Sequence, residues 1–233
     1  METLTATLAI YRRAFRRAAV AAARNWPVAG SLFLYLAAFW FVAPLLAPLG
    51  IAGGLLFSLL WSACIGSFLA LVEVMVRGGA VTFDDFRTSF GRYLWDVVGI
   101  SFLFWVFWMI VTPALLTLPN GGVVVVAVQL VIFVLLNAVP ELIYLGHHSS
   151  FELVTESYAF ISENWIEWFP PNMLLAVGWY VLMEIPAPGW SFVLHAAAHA
   201  LYLYFAMAVR GFLFLELAGS TRRSRAFRHR MGQ

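Results

Sequence analysis

The sequence predicts an all-α membrane protein of six transmembrane helices, arranged as three hairpins that are each preceded by an interfacial amphipathic helix. Three observations predict it. Of 233 residues, 63% are hydrophobic and only 11% are charged, whereas soluble chains carry about a quarter charged residues. All 14 basic residues are arginine; 13 fall in clusters at 12–24, 77–92 and 222–230, while the turns at 47–54, 117–122 and 185–190 contain none. Tryptophans recur at Trp26, Trp95 and Trp165, 69 and 70 residues apart. Composition gives the bilayer, arginine placement the orientation, and spacing a threefold repeat.

Residues 4–24 read as the first amphipathic helix. Leu4, Leu8, Tyr11, Phe15, Ala18 and Ala22 recur at three- and four-residue steps on one face, with Arg12, Arg13, Arg16 and Arg17 on the other. Such a helix beside a span suits anionic lipid headgroups; the same arginines also fix topology under the positive-inside rule. Span 1 follows from about Pro27 to Leu46, a turn at Pro44–Gly54, and span 2 from about Leu55 to Val76.

The second linker opens on Thr82 with Asp85 three residues on, a capping-box pattern. Phe83, Phe86, Phe90 and Tyr93 form its stripe. Spans 3 and 4 run from about Leu94 to Leu116 and Val123 to Leu145, with Pro140 set to kink or loosen the latter. The third linker has Ser149 and Glu152 at capping-box spacing, the stripe Phe151, Val154, Tyr158, Ile161 and Trp165, and Glu152, Glu156, Glu163 and Glu167 placed away from it. Pro170-Pro171 is expected to end this helix. Span 5, from about Asn172 to Ile185, is short unless it starts within the linker; span 6 runs from about Trp190 to Leu217. Each hairpin is long enough for a core of about 30 Å at about 20 residues per span. The single domain thus covers 1–221, with repeats at about 1–79, 80–148 and 149–221, and a basic tail at 222–233. Both termini are expected in the cytoplasm.

The polar linker SYAFISENW at 157–165 precedes a span. In this, and in its six-span topology, the chain resembles poorly characterised bacterial membrane proteins of the YciC type and the membrane domain attached to some glycerophosphodiester phosphodiesterases. The resemblance implies a bacterial inner membrane and brings no catalytic residues. Its motif is confined to short patches, and the phosphodiesterase barrel has no counterpart here.

Ionisable residues inside a membrane are candidates for function. They gather on the even spans: Glu73 four residues before Arg77, then Asn137 and Glu141, then Arg210 and Glu216. Three readings follow. The glutamates snorkel or pair with Arg77 and Arg210, or they ring a cytoplasm-facing cavity in which Arg210 meets an anion or lipid headgroup, or they form an interface with another subunit. His195 and His199 stand four apart on one helix face, with Glu184 across a short turn. This set suits a divalent metal such as zinc, a proton relay, or plain interhelical hydrogen bonding. It lacks the HExxH general base of zinc peptidases.

The lone Cys64 cannot form an internal disulfide, and nothing suggests a nucleic-acid groove. The expected function is therefore a non-catalytic transport or assembly subunit with its linkers as a surface for a protein partner or a second copy. The alternatives are a transporter of a lipid-like or small anionic solute, and a metal-dependent enzyme built on Glu184, His195 and His199.

Overall fold

A computed structural model describes residues 2–146, 150–186 and 191–218. Every regular element among them is helical. Four segments are long and apolar enough to cross a membrane: Pro27–Val76, Leu94–Leu116, Gly121–Gly146 and Val193–Leu217. The first holds two helices, α2 (Pro27–Leu46) and α3 (Gly50–Val76), joined by a 3₁₀ turn over Ala47–Leu49. These run antiparallel: Phe39 stacks on Trp61 with ring centroids 4.9 Å apart, and the Tyr35 hydroxyl meets Ser67 at 2.7 Å.

The N-terminal helix α1 (Glu2–Arg24) departs from its expected setting. Its buried line is Ile10, Ala14 and Ala18, while Leu8 is exposed. That line packs antiparallel on α9 (Ser191–Leu217), with Phe15 against Phe205 and the Tyr204 hydroxyl donating to the Ala22 carbonyl at 3.1 Å. Small alanines allow this close approach, so the stripe is spent on protein. The helical period placed the apolar face but could not say what it would face.

The second linker forms as expected. Thr82 Oγ1 accepts from the Asp85 amide at 3.2 Å and the Asp85 carboxylate accepts from the Thr82 amide at 2.8 Å, starting α4 (Phe83–Ser89). Phe86 and Phe90 pack on Tyr35 of α2. The chain continues into α5 (Leu94–Leu116) and α6 (Gly121–Leu135). Pro140 acts as anticipated: α6 stops at Leu135, a single turn α7 (Val139–Glu141) follows, and Leu142–Gly146 is a wider π-type turn. The Leu135 carbonyl, set free by the break, accepts from Ser157 Oγ at 2.9 Å.

Pro170-Pro171 does not end a helix. The third linker and the segment expected as the fifth span are one 35-residue helix, α8 (Ser150–Glu184), with both prolines inside it. Two consecutive prolines remove only two donors. One acceptor left over, the Ile166 carbonyl, lies 3.5 Å from the Tyr11 hydroxyl of α1. The side of α8 turned to the protein also differs from the expected stripe. Leu153, Ser157, Ile161, Asn164, Glu167 and Trp168 are buried, whereas Phe151, Tyr158 and Trp165 are exposed. Burial of Glu167 corrects its placement on the polar side. The expected cap at Ser149, the turn at 147–149, the turn at 187–190 and the tail from 219 lie outside the described residues.

The core sits at one end. Residues 68–76, 138–144 and 204–217 supply most of its buried side chains, with the buried faces of α1 and α8 against them. Here Val76, Tyr144 and Gly211 meet: a Cβ at Gly211 would stand 2.7 Å from Tyr144 Oη and 2.8 Å from Val76 Cγ2. The rest of α2, α5 and α6 carries exposed Leu, Ile, Val, Phe and Trp side chains, as lipid contact requires. The three recurrent tryptophans are all exposed, at 70% for Trp26, 71% for Trp95 and 55% for Trp165.

Candidate functional site

Glu73, Glu141 and Glu216 each meet arginine. Glu141 is fully buried. It receives Arg210 in a two-pronged pair, Nε to Oε1 at 2.8 Å and Nη2 to Oε2 at 2.7 Å. The other Arg210 donors reach Asn137 Oδ1 at 3.3 Å, Asn172 Oδ1 at 2.8 Å and the Asn137 carbonyl at 2.6 Å. All five guanidinium N–H groups are thereby used. The guanidinium also lies 5.2 Å from the Trp168 ring, whose Nε1 donates to Asn137 Oδ1 at 2.9 Å. The helix break at 136–138 presents both Asn137 acceptors to Arg210, so Pro140 builds this site by breaking α6.

Glu73 is buried and engaged on both oxygens. Arg77 Nε donates to Oε1 at 2.8 Å, the Tyr93 hydroxyl donates to Oε2 at 2.7 Å, and Arg92 lies 3.3 Å from Oε2. Burial, reinforced by the Glu73 carboxylate, pushes the Tyr93 phenol well above its ordinary range. Glu216 is held by Arg13 and Arg17 of α1, each at 3.1 Å. Arg12 and Arg16 are exposed, as are Glu152, Glu156 and Glu163 on α8. Glu167 faces Tyr11; burial, with that charge added, raises the Tyr11 phenol to about 12.

The pairing expectation therefore describes the observed geometry for Glu73 and Glu141. Arg210 has no donor left for a solute. Glu216 turns to the N-terminal helix, a contact across about two hundred residues that no local spacing could reveal. Sequence reasoning missed Trp168 and Asn172, both drawn to Arg210. It also missed the work of Asn25. Buried Asn25 donates to the Ala21 carbonyl at 3.0 Å and the Gly79 carbonyl at 3.3 Å, and accepts from the Val81 amide at 2.8 Å. The available signal was a repeated Asn-Trp pair: Asn164, also buried, makes the same bond to the carbonyl four residues back, at 3.0 Å.

His195 and His199 do come together, with ring centroids 4.2 Å apart. Glu184 is exposed, and among the described residues no three His, Cys, Asp or Glu side chains gather as a metal site. The pair instead borders a cavity of about 680 Å³ between α2, α3, α8 and α9. Its walls are apolar and aromatic, including Leu32, Phe39, Trp61, Phe68, Met183 and Leu203. The Tyr35 hydroxyl at its edge is already engaged with Ser67.

No family model matches this chain, and no curated protein or solved structure matches it.

Taken together, the charged constellation is a clamp. Arg210 ties α9 to α7 and α8, Glu216 ties α9 to α1, and Glu73 ties the end of α3 to the segment that leads into α5. The cavity has room for a ligand-sized body and has the histidine pair at its border.

Proposed function

We propose that this chain is a non-catalytic integral membrane protein that serves as a transport or assembly subunit, with the arginine-rich end of the bundle as its partner surface. In this reading the four apolar segments and α8 make six spans, in a bacterial inner membrane, with both termini cytoplasmic. The three exposed tryptophans and the matched bonds of Asn25 and Asn164 support a threefold repeat. The observation that carries the reading is the saturated Arg210: internal charge is spent on fastening helices, and charge for recognition is displayed on the outer sides of α1 and α8. Native mass spectrometry after purification in mild detergent tests it. A reproducible partner, or a defined oligomer, is expected. A lone monomer, with no partner lost on Glu152→Ala/Glu156→Ala/Glu163→Ala substitution, refutes it.

The cavity favours a second reading, transport of a lipid-like solute. Its apolar lining suits a lipid chain and not a small anion. Lipid exchange between proteoliposome leaflets is the measurement, and rates equal to protein-free vesicles refute it.

A further inference from the structure

The two histidines at the cavity differ in what they offer. His199 Nδ1 lies 2.8 Å from the His195 carbonyl. A carbonyl only accepts, so Nδ1 carries the proton, and in the neutral ring Nε2 is left as an acceptor. Trp179 holds that ring edge-on, with centroids 4.8 Å apart. Among the described residues, no protein group bonds the His195 ring nitrogens or His199 Nε2. Neutral His195 offers one donor and one acceptor. The border of the cavity thus holds an acceptor and a neighbouring donor, and its remaining walls are chiefly aliphatic and aromatic. Polar nitrogens left without partners beside an apolar space are costly.

We propose that this cavity binds a single-chain lipid ending in a hydroxyl. The hydroxyl donates its proton to His199 Nε2 and accepts from His195, while the chain lies along Leu32, Phe68 and Leu203. A carboxylate or an ether fits worse, because neither has a proton for the His199 acceptor. The volume of about 680 Å³ lies within the roughly 300–1,000 Å³ range of ligand pockets. The proposal deepens the lipid-transport reading by naming the ligand class, and it rests on the same cavity.

The test uses the full chain in mild detergent with radiolabelled hexadecanol. Saturable one-to-one binding is expected. Methoxyhexadecane, which keeps the oxygen but lacks the O–H, should compete roughly tenfold more weakly, the effect of losing one good hydrogen bond. In His199→Phe, which keeps the ring volume, that preference should vanish. Ala200→Phe, which fills the cavity, should abolish binding of both. Absence of saturable binding overturns the proposal, as does equal competition by the ether or by palmitate in the unaltered protein. The ligand series needs no variant, so a misfolded substitution cannot mask the answer. Binding without lipid exchange refutes transport and leaves this proposal standing; exchange without hydroxyl preference does the reverse.

Discussion

Glu141→Gln isolates the clamp at its most buried point. The Glu141 side chain is fully enclosed and that of Arg210 is 16% exposed. Glutamine keeps the shape but removes the charge, and it points an N–H₂ at one of the two guanidinium prongs now 2.8 and 2.7 Å from oxygen. Breaking one side of a buried pair costs about 3–5 kcal/mol. Arg210 retains its three bonds to Asn137 and Asn172, so the lower end, about 3 kcal/mol, is expected. That is more than a hundredfold in the folded ratio, at about 1.4 kcal/mol per tenfold. Reversible unfolding in mixed micelles reads it, with fluorescence of Trp168 reporting locally because its ring lies 5.2 Å from Arg210. Glu141→Gln/Arg210→Gln should be less destabilised than the sum of the single variants, by about 0.5–3 kcal/mol of coupling. A loss below about 1 kcal/mol for Glu141→Gln, or strict additivity, would refute the view that this pair fastens the bundle.

Gly211→Ala should destabilise by about 1–3 kcal/mol, since its Cβ meets Tyr144 Oη and Val76 Cγ2 under 3 Å; Gly30→Ala, with nothing within 4 Å, should be neutral or stabilising in the same unfolding assay. Pro170→Ala should raise stability by up to about 3 kcal/mol, because it restores a donor inside a continuous helix; a drop in helicity by circular dichroism would contradict that continuity. Thr82→Ala should cost about 1 kcal/mol at neutral pH. The Thr82 side-chain and backbone bonds hold the Asp85 carboxyl below its usual range. Its stabilisation is therefore present above the unfolded value of about 3.9 and lost as pH falls through the lower folded value. The gap between Thr82→Ala and the parent should narrow in strong acid but not close, because the Asp85 amide still bonds Thr82 Oγ1 in the parent. Glu216→Gln should cost about 0.2–1 kcal/mol, less at high salt, because Arg13 and Arg17 are more than half exposed.

Local chemistry made several elements legible before any coordinates. The Thr82–Asp85 cap depends on three residues and formed as read. Pro140 lacks an amide N–H wherever it sits, so the break in α6 was foreseeable. The i,i+4 pair of Glu73 and Arg77 needed only helical geometry. Pro170-Pro171 misled, because a helix tolerates two missing donors when packing on both sides of them keeps it continuous. The α1 stripe misled for a related reason: periodicity measures which residues share a face, and lipid and protein accept the same apolar face.

The sequence by itself determined an all-helical architecture with membrane-length apolar segments and the turns near 47–54 and 117–122, because composition and periodicity act within a segment. Only the tertiary structure decided the partners: Arg210 with Glu141 and Asn172, Glu216 with α1, Tyr204 with the Asn25 carbonyl at 2.9 Å, and the histidine pair with an apolar cavity. The physical reason is separation along the chain. A buried charge or polar nitrogen must be satisfied, and that requirement is visible in sequence; which distant group satisfies it depends on how the helices pack.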